Sequence, residues 1–594
     1  MSYDATTLKN MANVVRADAL RAILSAHSGH VGIVLGAADI ITAVFANFIR
    51  RGTDRFVLSA GHGSALLYSV LKLAGYGVGS LESFRKIGGL PGHPEYGIDG
   101  IDATTGPLGQ GVGNAVGMAI AEKIRGSDSR VYCLCGDGDL SEGVTNESIA
   151  FAGRYKLNNL VLLWDDNGIT IDGMAQTDMD VPSRMRAAGW NVVTVDGNDC
   201  EKISRAIADS RRLRVPTFIQ CKTIIGNYSS VAGTARAHGL ALGDDEIERL
   251  INKFDSPSGR DAWHTVASMP KATVFPKQRI DLSRVKTPDV SSEISSRELS
   301  GMYLNALLEA GVNIIGGSAD LGNSTNTRVE SSVEIEPNNF GGNYINYGVR
   351  EHAMGAIMNG IAAAGLRPYG STFLAFSDYM RPAMRLSAMS GLPVIYVLTH
   401  DSIAVGEDGP THQPVEQLAS LRLIPNMNVF RPCNMAEVAY SWRMALTESS
   451  RPSCIVLSRQ RFHTIPSPAG AEIKRGAYVI VPAKSARVKI TLIATGAEVP
   501  LATEVAKILG DYVQVVSMPS VEHFRAQSAL YKQQILRGLV VAIEAASPSP
   551  WFEFADAVIG VSRFGMSGSG SAVYTAMGFD ANQIAREIND KFKK

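Results

Sequence analysis

The sequence predicts an α/β protein of three domains, each built on a mainly parallel sheet flanked by helices. Three observations predict it. Short runs rich in Val, Ile and Leu recur without polar alternation: VYCLC (131–135), LVLLW (160–164), TFIQC (217–221), VIYVLTH (394–400), CIVLS (454–458), TLIAT (491–495), VQVVS (513–517) and LVVAIEA (539–545). Continuous apolarity of that length suits parallel strands covered on both faces. Longer helical patterns separate these runs along the chain, as repeated strand–helix units require. Periodicity then lapses twice, in a Pro-, Ser- and Lys-containing stretch at 252–292 and again at HTIPSPAGAEIKRG (463–476). These breaks place domains at 1–265, 290–463 and 470–594, with 266–289 as a linker.

Composition narrows the function. Of 594 residues, 45% are hydrophobic and 19% charged, a soluble globular balance with ample core material. Lys plus Arg (57) equals Asp plus Glu (57), so no global field favours a polyanion, and no nucleic-acid partner is expected. An anionic ligand must be captured by local groups. The six cysteines are scattered, with no CxxC pair, and read as buried thiols in a reducing compartment. The N-terminal stretch MSYDATTLKNMANVV carries neither a secretory nor a transit pattern, and no run approaches the roughly 18 apolar residues of a membrane span. A cytoplasmic protein without a membrane partner is expected.

The first domain holds the most informative stretch. The strand VYCLC delivers Gly136-Asp137-Gly138 at its C-terminal end, a helix follows near Thr145–Tyr155, and the strand LVLLW ends at Asp165-Asp166-Asn167. In a βαβ unit both loops emerge at the carboxyl edge of the sheet, where ligands bind. A carboxylate and an amide oxygen facing each other there suit a hard divalent cation that completes its shell with phosphate and water. Gly136 and Gly138 let the backbone approach a diphosphate. A lone GDG would be only a tight turn, but GDG and DN each following an apolar strand at this spacing point to a site.

In the second domain, YGVREHAMGAIMNG (347–360) carries apolar Met354, Ile357, Ile361 and Ala364 at helical spacing, so a helix begins near Glu351. Six of the eleven histidines cluster in recognisable motifs: His30, His62, His93, His238, His400 and His412. Imidazole titrates near neutrality and can donate or accept a proton, which suits acid–base work. No HExxH-like spacing links them, so a zinc site is not expected. His264, His463 and His523 read as structural, and His27 and His352 receive no role. Arg459, just after CIVLS, can grip phosphate oxygens with its forked donors.

Together these motifs carry a resemblance. GDG followed some thirty residues later by Asn167 resembles the thiamine-diphosphate fingerprint. With LSAGHGSALLY (58–68), LPGHPEYG (90–97), GPLGQGVGNAVGMA (106–119), GDGDLSEG (136–143), THDSIAVGEDGPTHQP (399–414) and LSRQ (457–460), the chain resembles the transketolases over nearly its whole length. The resemblance implies two thiamine-diphosphate-binding domains, for diphosphate and pyrimidine, followed by a C-terminal α/β domain. It implies thiamine diphosphate as cofactor, with Mg²⁺ or Ca²⁺ held by Asp137, Asn167 and Ile169. Cofactor contacts would come from His62, Gly106, Leu108, Gly138, Glu142, Asn167, His238, Asp320, Phe373, Phe376 and Tyr379, with Glu351 as the activator hydrogen-bonded to the aminopyrimidine. The catalytic set would be Glu351, His30, His238, His412 and His93. Substrate would be bound by His30, His93, Arg297, Ser324, His400, Asp408, His412 and Arg459, four of them (Arg297, Ser324, His400, Arg459) at the phosphate.

The implied activity is reversible transfer of a two-carbon ketol unit from a ketose phosphate such as xylulose 5-phosphate to an aldose phosphate such as ribose 5-phosphate. It would pass through a dihydroxyethyl intermediate, within the pentose phosphate pathway, in a homodimer whose active sites lie at the subunit interface. Two alternatives are another thiamine-diphosphate enzyme, akin to deoxyxylulose-phosphate synthase, and a non-catalytic paralogue. The sequence departs from the family's pattern in a shortened tract between His238 and Arg297, in Val31 for the usual Pro, in His27 where Asn is common, and in RFGMSGSGSA (563–572) for an FGxSAP-like turn.

Overall fold

The computed structural model describes residues 3–175, 180–239, 242–271, 278–290 and 293–592. Residues 1–2, 272–277 of the expected linker, and 593–594 lie outside the described residues. The chain forms two compact units, the first comprising Met1–Lys277 with 336–341 and 356–366, the second Gln278–Ile335, 342–355 and Arg367–Lys594. Among the described residues no helix is long and apolar enough to cross a membrane.

The first unit is organised by five parallel strands: β1 (Arg55–Leu58), β2 (Val131–Gly136), β3 (Leu160–Asp166), β4 (Asn191–Asp196) and β5 (Thr217–Lys222), in the order β1-β2-β3-β5-β4. β3 is buried at every position, which explains why its sequence shows no polar alternation. The helix Val31–Asn47 is buried from Val31 to Ala46 and is apolar on almost every face; its one buried carboxylate, Asp39, is paired with Arg16. Because all five strands run the same way, the loops after β1, β2 and β3 share one edge.

Glycine permits one close helix crossing in this unit. A Cβ on Gly117 would stand 1.9 Å from the Ile357 carbonyl oxygen, and one on Gly360 would stand 1.9 Å from that of Asn114. Gly117→Val should therefore lower stability by about 1–3 kcal/mol or more through forced separation of the helices. Urea unfolding of the variant against the parent checks this, and an unchanged midpoint would contradict it.

Besides a short antiparallel pair, Glu293–Ile294 with Phe462–His463, the second unit carries two larger sheets. One comprises β6 (Gly316–Ser318), β7 (Tyr344–Asn346), β8 (Tyr369–Phe373), β9 (Ile395–Thr399), β10 (Asn428–Phe430) and β11 (Ser453–Leu457), all parallel in the order β7-β6-β8-β9-β11-β10. The other comprises β12 (Tyr478–Val481), β13 (Ile490–Ala494), β14 (Val513–Ser517), β15 (Leu539–Ile543) and β16 (Ala557–Ile559), in the order β12-β14-β13-β15-β16, with only β12 antiparallel. A buried ion network joins the sheets. Arg431 pairs with Asp401 at 2.9 Å and with Glu498, while Arg422 grips both oxygens of Glu544 at 2.7 and 2.9 Å.

Candidate active site

In the first unit, the loops after β1, β2 and β3 line a cavity of about 350 Å³ together with His30, His93 and His238. Asp137 is buried at the start of a short helix (Asp137–Ser141), and its Oδ2 has no hydrogen-bond partner among the described residues. Burial, with the nearby charges of Asp165 and Asp166, pushes its carboxyl up to about 7, and burial raises Asp165 to about 6. A crowded set of buried acids with an unpartnered oxygen is short of positive charge. The Asn167 amide donates to Asp165 at 3.0 Å, while its own oxygen accepts from the Ile169 amide at 3.0 Å, across Gly168 in the left-handed region (φ 70°). The donor set of carboxylate, amide and carbonyl oxygens fits a hard cation, and those of Asp137, Asn167 and Ile169 could hold it. Among the described residues no group of three or more His, Cys, Asp or Glu side chains is placed to hold a metal.

Close backbone approach shapes the side of the cavity lined by Gly106, Leu108 and Gly138. A Cβ on Gly61 would lie 2.8 Å from the Gly106 nitrogen, and one on Gly138 would lie 2.8 Å from the Leu108 side chain. Glu142 and Leu108 are solvent-exposed. Asp139, which the sequence reading passed over, ties these loops together. Its Oδ1 accepts from Ser59 Oγ at 2.6 Å and the Gly109 amide at 2.7 Å, and its Oδ2 accepts from the Gly136 amide at 3.0 Å. The available signal was an acid three positions into the helix that begins after Gly136, a capping arrangement.

Four histidines converge in the same cavity. His62 and His238 stack with ring centroids 5.1 Å apart, and His30 stands edge-on to His62 (5.3 Å), His238 (5.7 Å) and His93 (6.3 Å). His30 and His238 meet because Gly32 admits the Ala237 carbonyl, 2.5 Å from where a Cβ would be. Burial, then the Arg85 guanidinium, lowers His30 to about 4, and burial followed by the other imidazoles lowers His62 to about 3. Burial lowers His93 and His238 as well. Burial thus disfavours the protonated form of all four rings. Arg85 donates to Ser28 Oγ at 2.6 Å and contacts His30 Nδ1 at 3.3 Å; the sequence offered no motif to single it out. His27 caps the helix Ala5–Ala26 in the left-handed conformation (φ 45°), which explains why Asn suits that position, and its side chain is exposed. Val31 is buried as the first residue of its helix.

The second unit places Glu351 at the start of the helix Glu351–Ala363, almost fully buried, where it accepts a hydrogen bond from Thr372 Oγ1 at 3.1 Å. Phe373 stacks on Phe376 (5.6 Å) and on His400 (3.7 Å), and Phe376 stands edge-on to His412 (5.2 Å). Tyr379 meets Phe376 only edge-on at 6.3 Å and is 67% exposed. His400 is held in the left-handed region (φ 60°), with Thr399 Oγ1 2.8 Å from its Nδ1. Burial and the charges of Arg297, Arg459 and His412 lower it to about 3.

A reciprocal tie brings the two arginines together. The Ser296 amide donates to Ser458 Oγ at 3.1 Å and the Ser458 amide to Ser296 Oγ at 2.7 Å, fixing Arg297 and Arg459 side by side. Burial and the charge of Arg459 lower Arg297. Arg297 also donates to the Ser324 carbonyl at 2.5 Å. Asp320 (φ 65°) and Asp408 lie on the surface. The segment RFGMSGSGSA braces the loop that carries Asp408 and His412. A Cβ on Gly406 would meet Gly570 at 3.0 Å, and Gln413 donates to the carbonyls of Gly406 and Met566, each at 2.9 Å. The unusual glycines of that segment are therefore contact points. His523 packs against Tyr440, with a 3.0 Å contact to its hydroxyl, whereas His463 is exposed.

Residues 7–260 match the family model for the transketolase thiamine diphosphate binding domain, residues 292–464 the transketolase pyrimidine binding domain, and residues 476–580 the transketolase-like C-terminal domain. A transketolase of Sinorhizobium medicae (strain WSM419) is 42% identical, covering 99% of this chain and 94% of that protein. Among solved structures, a transketolase of Leishmania mexicana superposes with a TM-score of 0.92 at 35% identity, covering 99% of this chain and 98% of that one. A Pichia stipitis transketolase in complex with sedoheptulose 7-phosphate gives 0.90 at 35% identity, covering 98% and 97%.

Proposed function

This chain belongs to the transketolase family of thiamine-diphosphate-dependent transferases, and from that premise we propose that it moves a two-carbon ketol unit reversibly between sugar phosphates. The donor is a ketose phosphate such as xylulose 5-phosphate and the acceptor an aldose phosphate such as ribose 5-phosphate, within the cytoplasmic pentose phosphate pathway. One observation carries the choice of phosphorylated substrates: Arg297 and Arg459 are held together beside His400, and the one ion-pair contact of either, among the described residues, is an exposed Glu407 at 3.9 Å from Arg459. Two adjacent cations, neither held in a close ion pair, call for an anionic ligand. The six buried free thiols support a reducing compartment.

Thiamine diphosphate, when bound, supplies the electron sink for cleavage and formation of the C–C bond. The protein's part is positioning and proton handling. Asp137, Asn167 and the Ile169 carbonyl would hold Mg²⁺ against the diphosphate, with His62, Gly106, Leu108, Gly138, Glu142 and His238 along it. Glu351 would bind the aminopyrimidine and hold or release a proton there, with Phe373, Phe376, Tyr379 and Asp320 around the ring. His30, His93, His238 and His412 would donate or accept protons at substrate hydroxyls; burial favours the neutral form of His30, His93 and His238, which leaves each of those rings one donor and one acceptor. Asp408 would read a further hydroxyl, and Arg297, Ser324, His400 and Arg459 would hold the phosphate.

The same proposal includes a homodimer with its sites at the subunit interface. Large apolar side chains beside each half-site support it: Ile171 and Met174 near the diphosphate cleft, and Val349 near Glu351, are each more than 70% exposed on the single chain. In the same proposal the domains span 1–265, 290–463 and 470–594, with 266–289 as linker. Arg459→Ala should raise the KM for a sugar phosphate by about tenfold or more, the scale of a charge-assisted phosphate contact, with thiamine diphosphate affinity unchanged. Steady-state kinetics with phosphorylated and free ketoses checks this, and equal activity of the parent on both would contradict the assignment.

A further inference from the structure

We infer that Arg85 is a positioning residue that holds His30 as a neutral imidazole with its proton on Nε2, so that His30 meets the substrate as a hydrogen-bond donor. The inference rests on reading this cleft as the ketol-transfer site and deepens it by giving one of its histidines a fixed tautomer. A guanidinium has donors only. Its 3.3 Å contact with His30 Nδ1 therefore requires Nδ1 to accept. An imidazole whose Nδ1 accepts is neutral only with the proton on Nε2.

The surrounding chain is built to hold this contact. The second arm of the guanidinium donates to Ser28 Oγ at 2.6 Å, two residues before His30, so the fork grips the SGH turn at both ends. A Cβ on Gly92, beside His93, would lie 3.3 Å from Arg85 Nε, close enough to push the guanidinium aside by a few tenths of an ångström. Arg85 itself adopts φ 56°, a left-handed backbone that an arginine takes only when its surroundings impose it, and its amide closes onto the Leu90 carbonyl at 2.7 Å. The groups facing His30 are Arg85, His62, His93 and His238, with the carboxylates of Asp137 and Asp165 farther along the same cavity. Burial and the charge of Arg85 both oppose protonation of His30. Proton acceptance then falls to a neighbour such as His238.

The test uses the full chain labelled with ¹⁵N-histidine, the His30 signal being assigned with His30→Gln. Long-range ¹H–¹⁵N spectra at neutral pH should show His30 with a protonated Nε2 and a bare Nδ1. Arg85→Met, which cannot donate, should mix the tautomers, and Arg85→Lys should restore the single one. In kinetics, Arg85→Met should lower kcat about tenfold or more with a smaller change in KM, and move the acid limb of the pH profile to higher pH. A parent His30 protonated on Nδ1, or an Arg85→Met variant with unchanged tautomer and acid limb, would overturn the inference. The spectra need no substrate, so they decide it even if the parent chain failed to turn over sugar phosphates.

Discussion

Glu351→Gln should lower turnover of sugar phosphates by about a hundredfold or more, the scale of losing a positioned acid–base group, while leaving the chain folded. Glu351 is almost fully buried at the head of its helix, and Thr372 Oγ1 is its hydrogen-bond partner. Glutamine keeps that volume and an acceptor oxygen, so the packing survives. It cannot carry the carboxylate that, in the proposed role, would hold or release a proton at the cofactor's aminopyrimidine. Coupled kinetics and a thermal melt read the two halves of the expectation. Parent-like turnover would remove Glu351 from the chemistry, and a melt lowered as far as the activity would make its role structural.

The second large effect concerns stability. Arg431 is fully buried between the carboxylates of Asp401 and Glu498, with Thr495 Oγ1 accepting at 2.8 Å. Arg431→Met should destabilise the second unit by about 3–5 kcal/mol, because it leaves buried carboxylates without their counter-charge. Urea unfolding followed by tryptophan fluorescence checks this, since Trp442 and Trp551 are both buried in that unit. A loss below about 1 kcal/mol would place the pair among weak surface-type contacts and contradict the reading. Asp401 directly follows His400, so the variant should also raise the KM for sugar phosphates.

Much of this was legible in the sequence for identifiable physical reasons. Buried parallel strands such as β3 and β9 are continuous apolar runs, and their ends fell within a residue or two of the observed ones. β6, Gly316–Ser318, was not legible. Its sequence is GGS because the Tyr369 ring occupies the space of a Cβ at Gly316, 2.0 Å away, and no apolar pattern survives that demand. In the candidate site, the sequence singles out residues inside motifs, whereas those that hold the motifs in place escape it. Asp139 joins three loops from separate parts of the chain, and the Ser296–Ser458 tie spans more than a hundred residues. Arg85 lies outside any motif, and its significance arises only when the 28–30 and 85–93 turns come together. Such partners are fixed by tertiary geometry, which no local spacing encodes.

Cofactor-dependent ketol transfer between sugar phosphates is read most directly in a coupled assay with xylulose 5-phosphate and ribose 5-phosphate, with thiamine diphosphate and Mg²⁺ supplied or withheld. Glyceraldehyde 3-phosphate should be released only when both are supplied. No turnover by a chain shown to bind thiamine diphosphate would contradict it.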